Sequence, residues 1–177
     1  MADILHRVGI KAPAAKVYEA LSSQKGLAGW WTRNTNATPE VGAVNEFRFG
    51  ELGFSHMKIT ELTPGTRVRW SCVEGAKEWI GTELTFELKQ QDGVTVVLFA
   101  QRGWREPVEF MHYCSTKWAR YLLGLKALCE RGVGTPYPDD VDIGEGAQRL
   151  SDVNVDSIWL LAGAKWALEL RIHPKIV

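Results

Sequence analysis

The chain has no surplus of either charge: 21 Lys and Arg stand against 21 Asp and Glu in 177 residues, a formal net charge of zero with a pI near 6.9. Nucleic-acid and anionic-membrane footprints both rest on an excess of Lys and Arg, so neither partner class is expected. Cysteine is scarce too. Cys72, Cys114 and Cys129 are odd in number and form no CxxC or His-paired spacing, which predicts reduced packing thiols and no disulfide framework. The four histidines, at positions 6, 56, 112 and 173, lack a zinc-ligand spacing such as HExxH, so no metal or cofactor is expected. The absence of a GxSxG elbow and a GxGxxG loop removes support for a hydrolase triad of that type and for a dinucleotide fold. Long apolar runs are missing as well: Ile158 to Leu170 is too short to span a bilayer and carries Lys165 and Glu169. Met1 to Lys11 is studded with charge and has no signal-peptide core. The expectation is a cytoplasmic protein with no membrane insertion.

What is present is apolar material in ordered periods: 45% hydrophobic residues, with eight Trp. A chain of this length buries roughly 70% of its unfolded surface and needs no staple to hold one domain together. Ile4, His6, Val8 and Ile10 alternate with Leu5, Arg7, Gly9 and Lys11, which predicts an opening strand. Pro13 can start a helix, where its missing N–H costs nothing, and Ala14, Val17 and Leu21 mark one face of a short helix ending near Ser22. A second helical turn over 24–29 leads into Trp30 and Trp31.

From Asn36 to Gly103 the period becomes two. Phe47 and Phe49, Met57 and Ile59, then Val68, Trp70 and Cys72, and finally Leu84, Phe86 and Leu88 each oppose polar neighbours, the signature of half-buried strands. Thr63-Pro64-Gly65-Thr66 and Gln91-Asp92-Gly93 are hairpin signals. Val94 to Gly103 is apolar on both parities, so its inward face is not assigned by alternation. After Pro107 the 3.6 period returns in Phe110, Cys114, Trp118, Tyr121, Leu122, Leu125, Leu128 and Cys129, until Gly132 and Gly134 stop the helix near Arg131. The fold class is therefore α+β: a curved antiparallel sheet of about six to seven strands whose apolar face must be covered by the long C-terminal helix. The inferred inward set is aromatic: Phe47, Phe49, Trp70, Phe86, Phe110 and Trp118, with Met57. Two readings are open at this point, a filled core and a partly open apolar cavity.

Ile10-Lys-Ala-Pro-Ala-Ala-Lys-Val-Tyr-Glu-Ala-Leu21, followed by Gly26-Leu-Ala-Gly-Trp-Trp-Thr32, resembles the opening signature of the SRPBCC (START and birch-pollen-allergen-like) superfamily. Within it the sequence is most similar to the family named after the activator of the ninety-kilodalton heat-shock protein's ATPase. Met57-Lys-Ile-Thr-Glu-Leu-Thr-Pro-Gly-Thr-Arg-Val-Arg-Trp70, Gln101-Arg-Gly-Trp104 and the long helix fit the same pattern, over about residues 3–140. The resemblance implies a helix-grip fold with a ligand cavity between helix and sheet. It is specific for fold and weak for function, because the superfamily includes lipid carriers, cyclases, receptors and members of unassigned role.

Taken together, residues and resemblance nominate Trp30, Trp31, Phe47, Phe49, Met57, Trp70, Phe86, Trp104, Phe110, His112 and Trp118 as ligand-binding residues for a small hydrophobic, lipid-like or aromatic molecule. No catalytic residue is nominated. Glu61 continues the inward parity of Met57 and Ile59 but is expected at a strand end in water, and His6 and His112 read as structural ahead of catalytic. Trp79 is read as a loop anchor or part of a dimer face, a homodimer being one arrangement open to the chain. Two alternatives stand beside binding: a cyclase- or hydrolase-type enzyme in the same cavity, and a co-chaperone-like interaction module. The domain is expected over 1–140, with 141–177 an atypical extension that departs from the family pattern, packed, exchanged between subunits, or of cloning or altered-frame origin.

Overall fold

A computed structural model describes residues 2–144 of the chain, which divides into two units, Met1–Val141 and Asp142–Val177. The sequence reading of 158–172 as strand or helix lies outside the described residues. In the first unit the order is β1 (Ala2–Ile10), α1 (Ala14–Ser22), α2 (Gln24–Ala28), β2 (Asn34–Asn36), β3 (Val44–Arg48), β4 (Phe54–Thr63), β5 (Arg67–Glu74), β6 (Glu83–Gln91), β7 (Val94–Trp104) and α3 (Glu109–Arg131). One seven-stranded sheet runs β1-β7-β6-β5-β4-β3-β2, antiparallel at every pairing. The expected α+β helix-grip architecture is what the chain forms. In the second unit the Gly144 backbone N–H donates to Asp142 Oδ1 at 2.7 Å.

Local chemistry sets the element ends. Pro13 precedes α1 and its carbonyl accepts from the N–H of Lys16 and Val17. Ser23 serves both short helices: its Oγ donates to the Glu19 carbonyl and accepts from Gly26 N–H. Gly26 is required by space, since a Cβ there would stand 2.5 Å from the Ala20 backbone. Helix α3 ends at Gly132, whose left-handed φ of 81° lets its N–H reach the Leu128 carbonyl.

The inward faces follow the alternation expected of β1 and β3 to β6. Strand β7, which alternation left open, turns Thr95, Val97, Phe99 and Gln101 to the inside. At its end the pairing with β1 slips by one residue, Ala2 facing Trp104 and Ile4 facing Gln101. That bulge falls at Gly103, whose φ of 90° suits glycine, and it brings Trp104 inside where strict alternation would turn it out. A second irregularity, between Ile59 and Glu61, removes Glu61 from the inner parity. Glu61 pairs on the outer face with Arg67 and Arg69, and Leu62 packs on the core in its place.

The candidate site: an aromatic interior and the cleft at its end

The nominated aromatics converge. Trp31 lies at the centre, with ring centroids 4.3 Å from Phe47, 5.2 Å from Trp118, 5.6 Å from Trp70, 5.7 Å from Phe49 and 6.1 Å from Trp30. Phe86 joins through Trp70 at 5.0 Å and Phe99 at 5.1 Å. Short helices α1 and α2 bring Trp30 and Trp31 onto the sheet, and α3 presents Trp118 to the same cluster. Trp30, Phe47, Met57 and Phe86 have no accessible surface at all, so no water-sized space borders them. The middle of the grip is thus taken up by the rings themselves, packed at the offset and tilted geometries that aromatic quadrupoles favour. Of the two readings left open by composition, the filled one describes this region.

His112 does not join the group. It is exposed on α3, one position away from the stripe that carries Tyr113 and Cys114 inward. Phe110 and Trp104 are brought together elsewhere, 6.3 Å apart at the end of the sheet where β7 leaves for α3. Here the 75–82 connection, the end of β7 and the turn before α3 enclose a cleft of about 310 Å³ lined by Lys77, Glu78, Trp104, Arg105, Glu106 and Val108.

A chain of hydrogen bonds ties the 75–82 connection to the helix. Trp118 Nε1 donates to Gln101 Oε1 at 2.9 Å, Gln101 Nε2 to Thr82 Oγ1 at 3.2 Å, and Thr82 Oγ1 to the Trp79 carbonyl at 2.7 Å. Trp79 Nε1 then donates to Cys114 Sγ at 3.3 Å, and its ring stacks on Trp118 at 5.9 Å. Trp79 is therefore a loop anchor, one of the two roles its sequence left open. Burial pushes the Cys114 thiol up to about 12, and Cys72 and Cys129 to about 11, so these groups stay protonated. Trp30 is satisfied likewise, its Nε1 donating to the Ala20 carbonyl at 2.9 Å.

Trp104 differs. It is 1% exposed, and its Nε1 is buried without a hydrogen-bond partner. Ser55, on the inner face of β4 at the same end of the sheet, has a buried Oγ in the same condition. Sequence reasoning nominated Trp104 and passed over Gln101, Thr82 and Val108; the only signal for Gln101 lay in a strand whose parity was unreadable. Among the described residues no three His, Cys, Asp or Glu gather into a metal-binding group, and no helix is long and apolar enough to cross a membrane.

Known proteins place this geometry in a family. The solution structure of the Aha1 dimer from Colwellia psychrerythraea matches with 40% identity and a TM-score of 0.70, over 76% of this chain and 100% of the other. SSP2350 from Staphylococcus saprophyticus (19% identity, TM-score 0.64, 75% of this chain and 95% of that one) shares the fold. So does BH1534 from Bacillus halodurans, at 22% identity and TM-score 0.61 over 73% and 98% of the two chains. No curated protein matches the chain. The sheet, the gripped helix and the matches agree on a fold of ligand-binding type in general. With residues 11–130 matching the family described as Activator of Hsp90 ATPase homolog 1-like protein, the chain belongs to that family.

Proposed function

We propose that this protein binds a small amphipathic molecule at the open end of the grip, in the cleft between the 75–82 connection and the start of α3. The observation that carries this reading is the cleft of about 310 Å³ lined by Lys77, Glu78, Trp104, Arg105, Glu106 and Val108, where charged side chains surround a small apolar floor. Its volume is at the lower end of the range of about 300–1,000 Å³ typical of small-molecule sites. Of the nominated residues, Trp104 alone lines this cleft, with Phe110 packed against its ring. Trp30, Trp31, Phe47, Phe49, Met57, Trp70, Phe86 and Trp118 form the packed wall behind it and hold its shape.

The dimeric state of the Colwellia relative supports a second element of the reading, a homodimer of this chain. Three buried free thiols fit a reducing compartment, the cytoplasm.

Native mass spectrometry of the purified full chain tests these points together. The expected result is an added mass of a few hundred daltons or less, lost on denaturation, on a species of twice the chain mass. Val108→Trp, which fills the cleft, is expected to abolish the added mass and leave the dimer intact. An added mass retained by Val108→Trp would place the ligand elsewhere. A bare chain that takes up no apolar probe would overturn the binding reading.

A further inference from the structure

Resting on the homodimer of that reading, we infer that the second copy docks along β1, strand against strand, about a two-fold axis at Leu5. Strand β1 is an edge of the sheet, with β7 on one side and no strand on the other. An edge strand presents main-chain N–H and C=O groups that a second chain can pair. Near the end of β1 these groups are taken: Lys126 Nζ donates to the Gly9 carbonyl at 2.7 Å, and Lys11 N–H donates to Glu130 Oε1 at 2.6 Å. From Asp3 to Arg7, no group among the described residues bonds the main chain outside the β1–β7 ladder.

The side chains decide the occupant. Asp3, Leu5 and Arg7 are the exposed set of this strand, alternating with Ile4, His6 and Val8, and Leu5 is 61% exposed. Antiparallel pairing about a two-fold axis at Leu5 sets it opposite the partner's Leu5, Asp3 opposite the partner's Arg7, and Arg7 opposite the partner's Asp3. Directly opposed pairs of this kind, apolar with apolar and acid with base, stabilise a ladder. Both charges are available for it. Arg7 makes no ion pair among the described residues, and Asp3 has only Arg102 Nε, at 3.6 Å. A pairing shifted by two residues would bring Asp3 against the partner's Gly9, whose carbonyl Lys126 already holds.

The other exposed apolar group, Val44, Phe54 and Val73 on β3 to β5, lacks this self-matching. Its polar groups are engaged within the chain, Arg48 with Glu46 and over the Phe54 ring at 5.8 Å, and His56 with Glu74 at 2.7 Å.

Sedimentation equilibrium of the full chain tests the docking through a charge exchange. Asp3→Arg and Arg7→Asp each set like charges opposite at both symmetry-related pairs, and each is expected to raise the dimer dissociation constant roughly tenfold or more. The two together restore opposite charges and are expected to return it to within about threefold of the unsubstituted chain. Phe54→Arg is expected to leave it unchanged. Opposed residues of an antiparallel pair lie about 4.5–5.5 Å apart, within disulfide reach. Under mild oxidation Leu5→Cys is therefore expected to form a covalent dimer, the chain's own thiols being buried, whereas Leu123→Cys, also exposed, is not. A dimer that tolerates both single exchanges, a double exchange no tighter than the singles, or a dimer weakened by Phe54→Arg alone would overturn docking along β1 and leave the homodimer in place. Cross-linking no greater with Leu5→Cys than with Leu123→Cys would do the same. A monomer at every concentration would remove the homodimer itself, and this inference with it.

Discussion

Trp31 makes ring contacts with five aromatic neighbours contributed by β3, β5, α3 and the residues that follow α2 and β3. Truncating it removes packing from every layer at once and leaves a void that rings on rigid elements are poorly able to close. Trp31→Ala is expected to cost about 3–5 kcal/mol in urea unfolding, and Leu123→Ala, at an exposed position on α3, well under 1 kcal/mol.

His6 gives a pH prediction. Burial lowers its pKa from 6.5, against a smaller opposing effect of its bond to the Ser115 carbonyl at 3.1 Å. The neutral ring, stacked on Phe99 at 6.2 Å, is the form the fold accommodates. The unfolded chain binds this proton more readily, so the contribution is whole above about 6.5 and is lost as the pH falls toward the lower folded value. Between neutral pH and about pH 5 the native protein is expected to lose more stability than His6→Gln, as read by paired melts at each pH; equal losses would remove His6 as the cause. The cysteines provide a third check at this scale: with thiols held up to about 11 and 12 by burial, native protein at about pH 8 is expected to react with a thiol reagent far more slowly than unfolded protein.

At the scale of elements, two irregularities in the strands do more than the regular ladders to shape the site. The slip in β4 sends Glu61 to the outer face, where Arg67 and Arg69 connect it to Glu87 and Glu83 in a solvated network. Such exposed pairs contribute little each, about 0–1 kcal/mol. The slip in β7 turns Trp104 inward, and it depends on the left-handed backbone of Gly103. Gly103→Ala is expected to cost about 1–3 kcal/mol and to shift the Trp104 indole resonance more than any other.

Beyond α3, the return segment docks by one backbone bridge, Thr32 to Tyr137, and by an ion pair between Lys117 and Asp140 whose side chains are 8% and 3% exposed. Asp140→Asn is expected to lower stability by about 3 kcal/mol in chemical denaturation, because the buried ammonium loses its countercharge. Lys117→Met combined with Asp140→Leu is expected to recover much of that loss.

At the scale of the molecule, the first and last strands of the described residues lie side by side, with β1 against β7, and α3 packs on β1. Lys126 Nζ donates to the Gly9 carbonyl at 2.7 Å, and Lys11 N–H to Glu130 Oε1 at 2.6 Å, fastening the end of β1 to the end of α3. Beyond the part that α1, α2, Trp30 and Trp31 cover, the inner face of the sheet stays open until the helix has been made. A chain ending before Glu109 is expected to lose near-ultraviolet circular dichroism and to aggregate on size exclusion, since the faces of Phe47, Trp70 and Phe86 would lie open to water.

Much of this was legible from residue order alone. Period-two alternation located β3 to β6 and their inward residues, because a side chain's face on a strand depends only on parity. The 3.6 period located α3, and the glycines after Arg131 ended it. The inward placement of Trp70, Phe86 and Trp118 was readable for the same reason, whereas Trp31 lies between α2 and β2, where no period assigns a face. Parity failed where a bulge reset it, at Glu61 and at Trp104, and where both faces were apolar, in β7. His112 is exposed because successive residues of a helix project about 100° apart, which carries it off the buried stripe of Cys114 and Trp118. The sequence by itself thus determined the element types, the gripped helix, the family and the aromatic composition of the interior, all of which rest on local periodicity and motif. Whether those rings enclose a space or fill it, and which buried indole N–H is left without a partner, only the tertiary structure decided. Both depend on how side chains from distant strands and helices divide a common volume and a common set of acceptors.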